Sequence, residues 1–188
     1  VLIFADEAGV GPAAVAAIPQ APGTRVYVVN VGPRFARLGE SHFVVNPANA
    51  GDYAALFDAL GDAATALGHV VYAWTLTPEA TTRDQVEAGL DVHFYGPLAL
   101  ARAMSLRDLE QPLAITFLTQ GVAQVAGETA VAPLGATVSG PSRVMPRELP
   151  NLATRIVDII VPTTAPQRES LTRVLAVELA SAPTSAIV

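Results

Sequence analysis

The chain has 188 residues and a net charge of -6, and with 51% hydrophobic and only 15% charged residues it can form one domain with a sizeable core. The acidic balance argues against a nucleic-acid or anionic-membrane surface, and no uncharged run approaches the roughly 20 residues of a membrane span. The chain has no cysteine, which excludes disulfides and thiolate sites. All 11 basic residues are arginine, which excludes chemistry that needs a lysine.

Short apolar runs alternate with helical patterns along the whole chain. Strands are predicted at 1–5, 25–30, 42–46, 69–74, 113–118, 155–161 and 185–188. Helices are predicted at 13–18, 51–67, 83–104, 134–147 and 167–180, and the third of these is predicted to bend at Gly96-Pro97. This alternation predicts an α/β fold with one Rossmann-like, doubly wound and mostly parallel sheet of strand order 3-2-1-4-5-6-7. The polar region 119–133 is the longest predicted loop.

The two ends of the sequence lack the polar tails that normally finish a native chain. Val1 opens directly on a predicted strand, and the sequence stops inside the predicted strand 185–188. We therefore expect residues 1–188 to be one domain taken from a longer polypeptide.

The first strand-turn-helix is the place where dinucleotide-binding folds hold a pyrophosphate on backbone N–H groups. Here the turn reads Ala5-Asp6-Glu7-Ala8-Gly9-Val10-Gly11-Pro12. Ala5 replaces the first glycine, two carboxylates would repel a phosphate, and Pro12 has no N–H to donate. The pattern favours a plain tight turn, so no cofactor-binding residue is predicted in this chain.

A reductase of this architecture also needs a serine, a tyrosine and a lysine at and after the fifth strand, because the lysine lowers the pKa of the tyrosine and holds the ribose. Segment 129–141 has no tyrosine, and the chain has no lysine. Ser139 lies in Thr137-Val138-Ser139-Gly140, which is not a Gly-x-Ser-x-Gly nucleophile elbow, so a buried or capping hydroxyl is expected. No catalytic residue is predicted.

The remaining titratable residues are interpreted as structural. Three histidines occur along the chain, at His42, His69 and His93. None has a second histidine or a carboxylate at metal-ligand spacing, so they are interpreted as strand-edge or helix-surface residues and no metal site is predicted. The adjacent Asp6 and Glu7 are predicted to be solvated, and Asp158 is a candidate for satisfying a loop backbone.

Three aromatic residues are candidates for a contact surface. Trp74 ends the fourth strand at the carboxyl edge of the sheet, where ligands and partners usually bind. Phe94 and Tyr95 lie in the middle of the long helix, where both a core and an interface role stay open. We interpret the three as a possible interface with another subdomain, because a chain with so few charges is expected to bury part of its outer surface.

Several motifs agree in order and spacing along nearly the whole chain. They include segments 4–11 (FADEAGVG), 34–40 (RFARLGE), 47–53 (PANAGDY), 69–74 (HVVYAW) and 94–101 (FYGPLALA). The most specific is 136–148 (ATVSGPSRVMPRE), which is followed by 150–152 (PNL) and 155–158 (RIVD). In these segments the chain resembles the ketoreductase structural subdomain of type I modular polyketide synthases.

The resemblance implies a degenerate short-chain dehydrogenase fold that has no cofactor site of its own. Residues 1–188 would then be a non-catalytic subdomain that packs on and stabilises a following catalytic subdomain of the same polypeptide. That partner would use NADPH to reduce β-ketoacyl chains on acyl carrier protein, in a cytoplasmic multifunctional enzyme of secondary metabolism. Two alternatives stay open: an active NAD(P)-dependent short-chain reductase, and a stand-alone Rossmann-like interaction module.

Overall fold

A twisted sheet of seven strands organises the computed structural model, which describes residues 1–19, 21–107, 111–123 and 132–181. The strands are β1 (Leu2–Phe4), β2 (Tyr27–Val31), β3 (Ala36–Arg37), β4 (His42–Val45), β5 (His69–Tyr72), β6 (Leu113–Gln120) and β7 (Leu152–Ile159). Their order is β3-β4-β2-β1-β5-β6-β7, and all neighbours are parallel except β3 and β4. The predicted order is thus confirmed for six strands, while the predicted strand 185–188 and part of the predicted loop 119–133 lie outside the described residues.

Helices cover both faces of the sheet, as a doubly wound fold requires. They are α1 (Val10–Ala17), α2 (Ala50–Leu60), α3 (Asp62–Thr65), α4 (Arg83–Leu90), α5 (Gly96–Ser105), α6 (Pro133–Ala136), α7 (Ser139–Glu148) and α8 (Ala165–Ala180), with a π-helical turn at Asp91–Tyr95. Helices α1 and α8 pack on one face, and α2, α5 and α7 pack on the other. The predicted helix 51–67 ends early because Gly61 takes a φ of +56° between α2 and α3.

The connection from β2 to β4 contains no helix and instead adds β3 to the outer edge of β4. Phe35 stacks on Phe43 with ring centroids 6.5 Å apart, and the Arg37 guanidinium lies 5.8 Å from the same ring. These contacts hold the connection against the sheet, and a two-residue edge strand offers little backbone for unwanted pairing. The sequence did not predict β3 because two residues are too few to show an alternating pattern.

The predicted long helix is interrupted by the π-helical turn, and Tyr72 compensates for the interruption. The Gly96 N–H donates to the carbonyl five residues earlier. In that register the next donor would be Pro97, which has no N–H to offer the Val92 carbonyl. The Tyr72 hydroxyl donates to that carbonyl instead, at 2.9 Å. A Cβ on Gly96 would lie 2.6 Å from the hydroxyls of Tyr53 and Tyr72, so this close approach requires glycine.

A second proline inside a helix is compensated in the same way. Pro146 cannot donate to the Ser142 carbonyl, four residues earlier in α7. The Thr154 hydroxyl on β7 donates to that carbonyl, and α7 continues to Glu148. The predicted helix 134–147 is therefore two helices, α6 and α7, and a hydroxyl from the sheet allows the second to continue past Pro146.

Candidate functional site

The turn between β1 and α1 holds a buried carboxylate. Asp6 is only 7% exposed; its Oδ2 accepts from the Val10 N–H at 2.9 Å, and its Oδ1 accepts from the Gly11 N–H at 2.8 Å. These two N–H groups belong to the first turn of α1, where the helix dipole favours a negative charge. The prediction of a solvated Asp6 is wrong, because the two donors compensate the carboxylate for its burial, whereas Glu7 is exposed.

The Asp6 carboxylate lies on the helix N-terminus that a dinucleotide fold offers to pyrophosphate. The glycines of the turn have steric roles: Gly9 has a φ of +73°, and a Cβ on Gly11 would lie 2.7 Å from the Ala73 Cβ. Helix α1 begins at Val10, earlier than the predicted 13, because the Asp6 carboxylate accepts from the N–H groups of Val10 and Gly11 in its first turn. The residues of this turn do not fit a dinucleotide, since the two N–H groups already bind an internal anion.

At the carboxyl end of β7, Asp158 organises the loop that follows β6. Its Oδ1 accepts from the Thr119 hydroxyl at 2.9 Å, and its Oδ2 accepts from the N–H groups of Val122 and Ala123 at 3.0 Å. The prediction that Asp158 satisfies a loop backbone is confirmed. Ser139 is half-buried at the start of α7, and the Ser142 hydroxyl donates to its carbonyl at 3.2 Å.

The histidines lie in three different environments. His42 is exposed, in agreement with the strand-edge interpretation, whereas His93 is only 3% exposed and the helix-surface interpretation is wrong for it. The His93 Nε2 lies 2.9 Å from the Thr77 hydroxyl, and burial lowers its pKa to about 4. His69 lies 3.0 Å from the Thr116 hydroxyl, and its pKa is lowered to about 4 by burial and then by the charge of Arg155.

The described residues contain no group of three or more histidines and carboxylates that could hold a metal ion. The two buried tyrosines are also unsuited to proton transfer at neutral pH. Burial raises the pKa of Tyr53 and of Tyr72 well above the ordinary tyrosine value. Their hydroxyls serve as structural donors in the core.

The low pKa of His93 predicts that the fold loses stability in acid. Its pKa is about 4 in the folded state and about 6.5 in the unfolded chain, so its contribution is complete above pH 6.5 and is lost as the pH falls towards 4. Relative to His93→Gln, the parent chain should lose about 2–3 kcal/mol of unfolding free energy between pH 7 and pH 4. Urea unfolding at four pH values measures this. The exposed His42→Gln variant is the control, and parallel curves for the parent and His93→Gln would contradict the prediction.

Trp74 is a core residue, and its prediction as part of an interface is wrong. Its side chain is 3% exposed, and its ring packs edge-on against Phe4 with centroids 4.9 Å apart. The indole N–H donates to the Val29 carbonyl at 3.2 Å. The strand end that suggested a partner site therefore turns its aromatic residue inward.

Phe94 and Tyr95 lie differently, near the junction of α5 and α7. Phe94 is half-buried, with its ring edge 3.7 Å from where a Cβ on Gly140 would lie, while Tyr95 is 54% exposed. Leu98 on α5 and Val144 on α7 are also exposed apolar side chains. We call Tyr95, Leu98 and Val144 the α5–α7 face. An interface at Phe94 and Tyr95 stays a prediction.

Comparison with known proteins places this fold in a family. A family model described as beta-ketoacyl synthase-like, N-terminal, matches residues 1–178. The chain belongs to this family. The match confirms the recognition of a ketoreductase structural subdomain from its motifs. No curated protein sequence matches the chain, and no described helix is both long and apolar enough to cross a membrane.

Solved structures share the fold at low identity. A multidomain structure of the adenylation, ketoreductase and pseudo Asub region of a keto acid-selecting NRPS module has a TM-score of 0.84 at 21% identity, and the match covers 99% of this chain and 15% of that one. An N-terminal ketoreductase from the macrolactin assembly line has a TM-score of 0.75 at 16% identity, and the match covers 100% of this chain and 36% of that one. A Brucella ovis short-chain dehydrogenase/reductase, solved with partially ordered NAD, has a TM-score of 0.69 at 17% identity, and the match covers 96% of this chain and 92% of that one. These likenesses confirm the short-chain-dehydrogenase type of Rossmann-like fold.

Proposed function

We propose that this chain is a non-catalytic structural subdomain that packs on and stabilises an NADPH-dependent catalytic ketoreductase subdomain. In this proposal the partner belongs to the same polypeptide and reduces β-ketoacyl chains on acyl carrier protein, in cytoplasmic polyketide biosynthesis. The observation that carries the proposal is the Asp6 carboxylate on the N-terminus of α1. A fold that fills its own phosphate position is suited to a role through contacts.

Two further features support a role without chemistry. The chain has no lysine to hold a ribose or to lower a tyrosine pKa. The four tyrosines lie on β2, α2, β5 and the π-helical turn, and none lies after β6, where a reductase of this architecture needs its tyrosine. The α5–α7 face offers three exposed apolar side chains to a partner. One of them is the aromatic Tyr95, and aromatic residues are enriched at protein–protein interfaces.

An NADPH titration tests whether the chain is itself a reductase. Isothermal titration should show no saturable binding up to about 1 mM NADPH, because the helix terminus is filled and a second anion would meet the Asp6 charge. An active short-chain reductase, titrated in the same buffer, is the positive control. Micromolar binding by this chain would overturn the structural role in favour of the reductase alternative.

The contact role is tested by charging the α5–α7 face. Leu98→Asp should leave the melting temperature of the chain alone nearly unchanged, because Leu98 is already 40% exposed. It should lower the melting temperature and the ketoreductase activity of a polypeptide that joins this chain to a catalytic subdomain. The matched control is Val177→Asp on the exposed side of α8. No effect of Leu98→Asp in the joined polypeptide would favour the stand-alone interaction module.

A further inference from the structure

A cleft of about 400 Å³ opens where the chain leaves the carboxyl ends of β5 and β6. Open α/β sheets bind their ligands at this edge, and a cleft of this volume lies in the range of small-molecule sites. The loop after β5, helices α4 and α6 and the π-helical turn form its walls. The Asp6 turn does not line it, so the cleft is separate from the filled phosphate position.

The described residues that line the cleft are mostly apolar, and one of them is charged. Val86 and Leu90 on α4 and Leu134 on α6 are among its apolar lining residues. Glu79 is the one charged residue among the described residues that line the cleft, and no arginine is among them. An anionic ligand would therefore meet a like charge without a compensating cation.

Two glycines bring the walls into close contact. A Cβ on Gly89 would lie 2.3 Å from the Leu134 side chain, and a Cβ on Gly135 would lie 2.8 Å from the Val122 side chain. Both distances are too short for a Cβ unless the Leu134 or the Val122 side chain moves. Helix α6 is thus held tightly against α4 and against the start of the loop after β6.

The polar groups of the cleft converge from two elements. The Thr77 hydroxyl and the His93 Nε2 lie 2.9 Å apart, and Gln120 ends β6 at the same cleft. His93 lies in the π-helical turn. Such turns are rare in proteins, and those that occur are often found at functional sites. Its buried Nδ1 has no hydrogen-bond partner among the described residues, which marks this wall as unusual in the core.

We propose that this cleft binds a small, neutral, mostly aliphatic molecule that carries one hydrogen-bonding oxygen, such as a short alcohol, ketone or amide. The apolar walls take the chain of the ligand, and the Gln120 amide offers a hydrogen to its oxygen. The Thr77 hydroxyl donates to the same oxygen when His93 carries its proton on Nε2 and donates to Thr77. Glu79 excludes a carboxylate of the same length. The site is independent of the scaffold role, because neither NADPH nor a partner subdomain takes part in it.

The test is a titration of the chain with 1-hexanol and with hexanoate, followed by the ¹³C-methyl NMR shifts of leucine and valine. For 1-hexanol, saturable shifts are expected at Leu90 and Leu134, with a Kd on the order of millimolar. Hexanoate should bind at least about tenfold more weakly. Val86→Trp should weaken 1-hexanol binding about tenfold or more, since Val86 is 41% exposed at the cleft and a larger ring can fill it.

Val174→Trp, on the exposed side of α8 and away from the cleft, is the matched control and should leave the affinity unchanged. Unchanged 1-hexanol affinity in Val86→Trp would overturn the site, because the ligand would bind elsewhere. Equal affinities for hexanoate and 1-hexanol would overturn the ligand class. Shifts that do not saturate would overturn the proposal as a whole, and none of these results would bear on the scaffold role.

Discussion

Replacement of Arg155 by methionine is expected to lower the free energy of unfolding by about 3–5 kcal/mol. Arg155 lies on β7 and is only 1% exposed, and among the described residues it is the largest fully buried side chain. Its Nη1 donates to the Glu178 carboxylate at 2.7 Å and to the Ser181 hydroxyl at 3.1 Å, and its Nη2 donates to the Thr116 hydroxyl at 3.2 Å. One guanidinium thus joins β6, β7 and the end of α8.

The loss comes from the groups that the guanidinium leaves behind. Methionine fills much of the space of the arginine stem, so the cavity contribution is small. The Glu178 side chain is only 29% exposed, and without Arg155 its charge is partly buried with no cation. Breaking a buried pair from one side is strongly destabilising for this reason, whereas replacing both partners is often neutral.

A double-mutant comparison separates these contributions. The variant with both Arg155→Met and Glu178→Met should recover most of the stability that Arg155→Met loses, as measured by urea unfolding at pH 7. Arg168→Met, at an exposed position of α8, is the control and should change stability by less than about 0.5 kcal/mol. A loss below about 1 kcal/mol in Arg155→Met would show that the network does not hold α8 on the sheet.

The strand order could be predicted because alternation of strands and helices leaves few topologies. The buried network of Arg155 could not be predicted, because Glu178, the ion-pair partner of Arg155, lies 23 residues further along the chain. A lone arginine at the start of an apolar run has the same pattern as an exposed strand end. The pairing is visible only when α8 has packed on the sheet.

The geometry of the turn between β1 and α1 could not be predicted from the sequence. The sequence showed that Ala5, the acidic pair and Pro12 oppose phosphate binding, but it placed the Asp6 charge in solvent. Residue type gives the charge of a side chain but not its direction. The Asp6 carboxylate points towards the N–H groups of Val10 and Gly11, four and five residues later in the chain. The same limit explains Trp74, whose position at a strand end was predicted and whose inward direction was not.

Replacement of Asp6 by alanine is expected to lower the free energy of unfolding by about 2–3 kcal/mol. The buried N–H groups of Val10 and Gly11 would lose a charged acceptor, and alanine offers no substitute. Asp52→Ala is the matched control, since Asp52 is also buried and accepts two hydrogen bonds, from the Asn46 N–H and the Asn49 amide. Urea unfolding of the three proteins in chloride gives the two losses.

The same variants show whether Asp6 replaces a bound anion. In Asp6→Ala the first turn of α1 has two free N–H groups, so sulfate at matched ionic strength should bind there and restore part of the lost stability. Sulfate also strengthens burial in proteins generally, and the parent and Asp52→Ala report that general effect. If sulfate raises the unfolding free energy of Asp6→Ala by more than it raises that of the parent and of Asp52→Ala, this helix terminus still attracts anions. The chain would then fill it with its own carboxylate. Equal gains in all three proteins would contradict this, and the proposed lack of cofactor binding would then rest on the backbone at Ala5 and Pro12 instead of on the occupied terminus.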